Sequence, residues 1–170
     1  MALNFSDKND IIVPTVAGTT YRGQEGDDTY ILVSQEGGAK VSITDTEGNN
    51  TIQLPEWSKI KSVVVAKNAI QITCDDMTVF TINSADKFTY DIGGNKTGNE
   101  VGSIKTYEEF VSLLDINLPD SGTNTKSLSK IVFEDKLNQL YEVTVKKEDD
   151  GNKYYINGEL APSLNLASGQ

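Results

Sequence analysis

The chain contains no histidine. That absence removes the usual general base, the usual activator of a serine or cysteine nucleophile and the commonest zinc ligand together. Ser34, Ser42 and Ser62 therefore have no histidine partner for a triad, and a catalytic role is not expected. Cysteine is almost absent as well. Cys74 stands alone, which excludes an intrachain disulfide. Its alternation with Ile70 and Ile72 puts it on an apolar strand face as a buried thiol. Basic residues are few: 15 Lys and Arg against 25 Asp and Glu leave a formal charge of −10. Such a surface repels phosphate backbones and anionic bilayers, so neither nucleic acid nor a membrane surface is an expected partner. No apolar run approaches the length of a transmembrane helix. The first ten residues lack an apolar h-region, so no Sec signal peptide is visible; a cytosolic chain, a chain trimmed at its N-terminus and export by a route that needs no N-terminal signal all fit.

What remains, 170 residues with 37% hydrophobic, is enough for one ordinary domain or two small ones. Residues 1–92 read as short strands. The runs are Tyr30–Val33, Val41–Ile43, Thr51–Leu54, Ile60–Val65, Ala69–Cys74, Thr78–Ile82 and Phe88–Ile92. They alternate apolar and polar side chains and are rich in β-branched residues. Their spacing fits a short β-solenoid or roll, or a β-sandwich. Residues 93–105, with four glycines, read as a linker. Residues 106–170 read as a small α+β region with one helix and an antiparallel sheet. There, Thr106-Tyr107-Glu108-Glu109 forms a capping box, Tyr107, Phe110, Val111 and Leu114 share a helical face, and Pro119 is the expected stop. Strands are expected at Ile131–Phe133, Leu140–Val145 and Tyr154–Ile156. Asp149-Asp150-Gly151-Asn152 is expected as a hairpin turn and the segment from Ala161 as a polar tail.

Two turns carry the functional signal. Gly23-Gln24-Glu25-Gly26-Asp27-Asp28-Thr29-Tyr30 recurs as Asp45-Thr46-Glu47-Gly48-Asn49-Asn50-Thr51-Ile52, with Gly26 and Gly48 22 residues apart. Glycine tolerates the φ that aims carbonyls inward, and Asp adds charge; Ca²⁺ wants six to eight such oxygens. The candidate metal residues are Gly23, Glu25, Gly26, Asp27 and Asp28, then Asp45, Glu47, Gly48, Asn49 and Asn50. Metal-free glycine turns are the competing reading. Asp75-Asp76 and Glu148-Asp149-Asp150 are expected to be solvated turns.

These segments resemble the repeats-in-toxin (RTX, haemolysin-type) calcium-binding motif Gly-Gly-x-Gly-x-Asp-x-apolar-x. Gly23, Gly26, Asp28 and Tyr30 match it, while Gln24 replaces its second glycine. In the second copy Gly48 and Ile52 match; Asp45 stands at the first glycine and Asn50 at the aspartate. The resemblance covers about 30 residues plus the strand rhythm to residue 92. It implies parallel β-roll geometry, Ca²⁺-driven folding and type I secretion to the bacterial cell surface or medium. The resemblance marks a compartment and a scaffold and not an activity; the calcium-like turns, the acidity, the many strands and the lack of catalytic groups suggest a Ca²⁺-binding structural or assembly module of a surface layer, matrix or fibre, forming a homo-oligomer or polymer. An adhesin or carbohydrate-binding module is the alternative, with Trp57, Tyr154 and Tyr155 as stacking residues for cell-surface glycans. A glycan-active enzyme using two carboxylates comes third, because no motif singles out a pair. The sequons at Asn4, Asn49 and Asn95 mean little if the source is bacterial, as the resemblance implies.

Overall fold

The computed structural model describes residues 1–35, 37–128, 143–148, 151–156 and 159–160. These fall into two compact units, one reaching to Leu128 and one beginning at Val143.

The first unit is built on ten strands laid down in sequence: β1 (Ala2–Asn4), β2 (Ile11–Ile12), β3 (Thr19–Arg22), β4 (Thr29–Ile31), β5 (Lys40–Thr44), β6 (Asn50–Leu54), β7 (Ile60–Ala66), β8 (Ala69–Cys74), β9 (Val79–Asn83) and β10 (Phe88–Ile92). The seven expected runs are β4 to β10, shifted by a residue or two at their ends. After them come β11 (Ser103–Lys105), α1 (Tyr107–Leu113) and β12 (Thr123–Ser127). The strands form a seven-stranded sheet, β1-β3-β5-β9-β8-β7-β12, and a five-stranded sheet, β11-β10-β6-β4-β2.

The chain alternates between the two sheets, and like strands stack in parallel. Ala2 lies beside Thr20, Thr19 beside Val41 and Lys40 beside Val79 in the larger sheet. Ile11 lies beside Thr29, Thr29 beside Thr51 and Asn50 beside Phe88 in the smaller one. The antiparallel hairpin β7–β8 is inserted between β6 and β9 and extends the larger sheet, which β12 then closes.

Alternation in each strand sends one face inward. Val41, Ile43, Ile70, Ile72, Phe80 and Ile82 from the larger sheet share a single core with Tyr30, Ile52, Leu54, Phe88, Tyr90 and Ile92 from the smaller. Each fully buried isoleucine contributes about 1.5–3 kcal/mol relative to an exposed one. Cys74 belongs to this core, and burial pushes its thiol up to about 12. It packs in the core, where burial disfavours the thiolate.

The capping box forms as its sequence requires. Thr106 Oγ1 accepts from Glu109 N, and Thr106 N donates to Glu109 Oε2 at 2.8 Å. The helix lays Phe110 against Tyr90, their rings stacked 4.6 Å apart. Tyr107 donates its hydroxyl to the carbonyls of Ala66 and Ala69 at the β7–β8 turn. The helix ends well before Pro119. Asp115 takes a left-handed φ of 57°, and its N–H and that of Ile116 return to the carbonyls of Ser112 and Val111. This is a Schellman cap, sealed by the buried Ile116.

Residues 93–105, read as a linker, lie inside this first unit. β11 pairs antiparallel with β10, and Lys96 N donates to Gln53 on β6. No helix among the described residues is long and apolar enough to cross a membrane.

The second unit contains β13 (Val143–Glu148), β14 (Gly151–Ile156) and β15 (Glu159–Leu160), an antiparallel sheet in that order. Glu148 pairs with Gly151. The strand expected at Ile131–Phe133, the turn residues Asp149 and Asp150, and the tail from Ala161 lie outside the described residues.

Candidate metal centre

The parallel register stacks three turns at one edge of the sheets: residues 5–10, 23–28 and 45–50. They approach so closely that a Cβ on Gly26 would lie 2.6 Å from Lys8 C, and one on Gly48 only 1.7 Å from Gly26 O. Both glycines also have positive φ, 109° and 76°. Gln24, which stands at the motif's second glycine, keeps a left-handed φ of 77°. Its side-chain amide compensates by donating to Phe5 O in the turn above.

Two ladders of side chains bind the turns to one another. In the outer ladder, Asn9 Oδ1 accepts Asp27 N at 2.9 Å, and Asp27 Oδ1 accepts Asn49 N at 2.8 Å. In the inner ladder, Asp28 Oδ1 accepts Asp10 N and Asn50 Oδ1 accepts Asp28 N, both at 2.8 Å. Asn50 in turn donates to Glu47 O at 2.7 Å. Each short polar side chain thus satisfies a backbone donor that the turn leaves without a partner.

Behind the inner ladder two carboxylates meet. Asp28 is 1% exposed and Asp45 5%. Both converge on Gly23, where a Cβ would lie 1.8 Å from Asp28 Oδ2 and 2.5 Å from Asp45 Oδ2. Asp45 Oδ2 accepts the Tyr30 hydroxyl at 2.6 Å and Gly23 N at 3.1 Å. Asp28 Oδ2 has no hydrogen-bond partner. Burial raises the Asp28 carboxyl above its ordinary value, against the bond from Asp10 N, and the charges of Asp45 and Asp10 raise it further. Tyr30 is raised as well, first by burial and then by Asp45. Repulsion between two buried carboxylates that converge on one point is relieved by a shared proton or by a cation.

The ten expected metal residues therefore divide. Gly23, Asp28, Asp45 and Asn50 come together in the interior, whereas Glu25, Asp27, Glu47 and Asn49 face solvent. Gly26 and Gly48 serve close stacking. A cavity of about 380 Å³ opens beside them, lined by Asn4, Asp7, Arg22, Glu25, Asp45 and Glu47 among others. Among the described residues no three Asp, Glu, Cys or His side chains converge as a metal cluster. An ion held by Asp28 and Asp45 must complete its shell with carbonyl oxygens, which suits a hard, oxygen-seeking cation such as Ca²⁺. The unpartnered, deeply buried Asp28 Oδ2 fits that role.

The sequence reading missed the first turn. Asn9-Asp10-Ile11-Ile12 stacks on Asp27-Asp28-Thr29-Tyr30 with an offset of 18. The Asn-Asp pair before two isoleucines was the available signal. Elsewhere, Asp76 Oδ1 accepts Thr78 N at 2.9 Å, an ordinary Asx turn. Trp57 is half-buried against the core, and Tyr154 and Tyr155 lie in β14. No family model, curated protein or solved structure matches the chain.

Proposed function

We propose that this chain is an extracellular Ca²⁺-binding structural module of a bacterial surface layer, matrix or fibre, folded as a short parallel β-roll and exported by a type I route. Its role is scaffolding and self-assembly, without catalysis. The observation that carries this reading is the Asp28–Asp45 pair: two buried carboxylates converge on Gly23, and one oxygen has no donor. Support for the roll comes from β1 to β6, β9 and β10, which alternate between two sheets and stack in parallel. A cation at the pair relieves the repulsion and fastens the second turn to the third.

Extracellular Ca²⁺ modules bind with dissociation constants of roughly 10⁻⁴–10⁻³ M, so about 10 mM Ca²⁺ stabilises the fold by roughly 1.4–2.7 kcal/mol per site. The test is thermal unfolding with and without EDTA, alongside light scattering across millimolar Ca²⁺. Chelation is expected to lower Tm by several degrees, and Ca²⁺ to promote association. A melt indifferent to EDTA sinks the metal reading, and a monomer at every Ca²⁺ concentration sinks the assembly role.

A further inference from the structure

A second aspartate is, like Asp28, buried with one oxygen that has no hydrogen-bond partner, but it lies outside the stacked turns. Asp91, on β10, points to the outer face of the smaller sheet and is nevertheless only 5% exposed, covered by the loop 93–102. Its Oδ2 accepts Gln53 Nε2 at 2.7 Å from the neighbouring strand, and Gln53 Oε1 accepts Lys96 N at 2.5 Å from the covering loop. Its Oδ1 has no partner. The Lys96 ammonium, the charge that could pair with it, donates instead to Thr29 Oγ1. Neither ion pair found among the described residues involves Asp91.

The loop backbone closes around this oxygen. A Cβ on Gly94 would lie 2.0 Å from Asp91 Oδ2 and 2.4 Å from Oδ1. A Cβ on Gly102 would lie 2.3 Å from Asp91 Oδ1 and the same distance from Ile92 O, so the two oxygens are no more than twice that apart. Gly94 N is equally near that point, yet Asp91 Oδ1 receives no hydrogen bond. A buried carboxylate oxygen without a donor costs free energy that a cation recovers.

We propose that Asp91 and the loop 93–102 form a divalent-cation site of the Ca²⁺ class, with Asp91 Oδ1 and backbone carbonyls, Ile92 O among them, as ligands. A loop of glycines and asparagines offers carbonyls at flexible angles, which Ca²⁺ accepts and Mg²⁺ does not. With one carboxylate the site is weak, and its occupancy clamps the loop across β10 and β6. It does not depend on the turn site, because Asp28 lies by the Asn50 end of β6 while the loop crosses the Leu54 end.

Trp57, the sole tryptophan, reports on this site: its Nε1 lies 3.8 Å from where a Cβ on Gly93 would be. The test is Tb³⁺ luminescence of the full chain, excited where only tryptophan absorbs and competed with Ca²⁺. Sensitised emission that Ca²⁺ displaces is expected in the wild type and in Asp28→Asn. Asp91→Asn, which can keep the Gln53 contact, is expected to weaken Tb³⁺ binding about tenfold or more through loss of the charge. Gln53→Glu, which adds a carboxylate beside Asp91, is expected to tighten it, and this arm stands even if Asp91→Asn misfolds. The site is overturned if the wild type gives no tryptophan-sensitised signal, if Asp91→Asn folds and binds unchanged, or if Gln53→Glu fails to tighten binding. Loss of the signal in Asp28→Asn would show that the emission comes from the stacked turns, and also overturns it.

Discussion

The carboxylate of Asp27 accepts both the backbone N–H and the side-chain amide of Asn49, 22 residues later, at 2.8 and 3.1 Å. One side chain thereby ties together two turns that sequence separation alone would leave independent. Asp27 is solvent-exposed, so its contribution is modest and can be measured apart from the buried pair behind it.

Asp27→Ala is expected to destabilise the fold by about 1 kcal/mol, the usual net worth of such bonds, which lowers Tm by roughly 2–4 °C. The Ca²⁺-dependent part of the stability should remain, because Asp27 lies outside the buried pair. Parallel melts with Ca²⁺ and with EDTA check this; an Asp27→Ala chain that no longer responds to Ca²⁺ would move the metal ligands to the outer ladder.

Gly48→Ala tests the stacking. Its φ of 76° strains any other residue, and a Cβ would lie 1.7 Å from Gly26 O, so the two turns must separate. The expected cost is about 3 kcal/mol or more. Gly18→Ala is the control: φ is 70° there, but nothing lies within 4 Å of a Cβ, and the cost should stay near about 1–2 kcal/mol. Denaturant unfolding of both variants decides the matter, and equal losses would show that φ strain and not close approach makes Gly48 necessary.

The pH dependence should change sign with metal. In the metal-free fold the Asp28 carboxyl is raised above its ordinary 3.8 by burial, then by the charges of Asp45 and Asp10. Between the ordinary and raised values the folded state holds more protons than the unfolded chain, so stability falls as pH rises through that window. In EDTA, Tm should therefore increase as pH is lowered through that window. A Ca²⁺ ion bound as proposed would hold the pair ionised and favour the opposite trend. Glu56, held below its ordinary 4.5 by Lys59 and Ser34, contributes stability that is lost only at lower pH, so it does not obscure the effect. Melts of Asp28→Asn across the same range should lose the EDTA-specific slope; a slope that persists places its source elsewhere.

Much of the local structure was legible in the chain. Alternation in Val41–Ile43 or Ala69–Cys74 marks a strand because a pleated backbone sends successive side chains to opposite faces. Thr106 and Glu109 mark a helix start because their side chains satisfy specific backbone donors. Pro119 misled as the stop, since the helix terminates through the left-handed Asp115, whose Asn-like tolerance of that conformation is a weaker signal. The outer ladder was half legible: the 22-residue repeat of Gly26 and Gly48 was visible, whereas the copy at Asn9 and Asp10 is offset by 18 and has Lys8 in place of glycine.

The sequence by itself determined the acidic charge, the absence of histidine chemistry, the strand-rich class and the acidic glycine turns, because each follows from composition or from neighbours a few residues apart. Tertiary structure alone decided that Asp45 faces Asp28 across Gly23, that the β7–β8 hairpin extends the larger sheet beyond β9, and that Asp91 is sealed beneath the loop 93–102. Which strands lie side by side, and in what register, depends on burying one shared core, and no local periodicity encodes that choice.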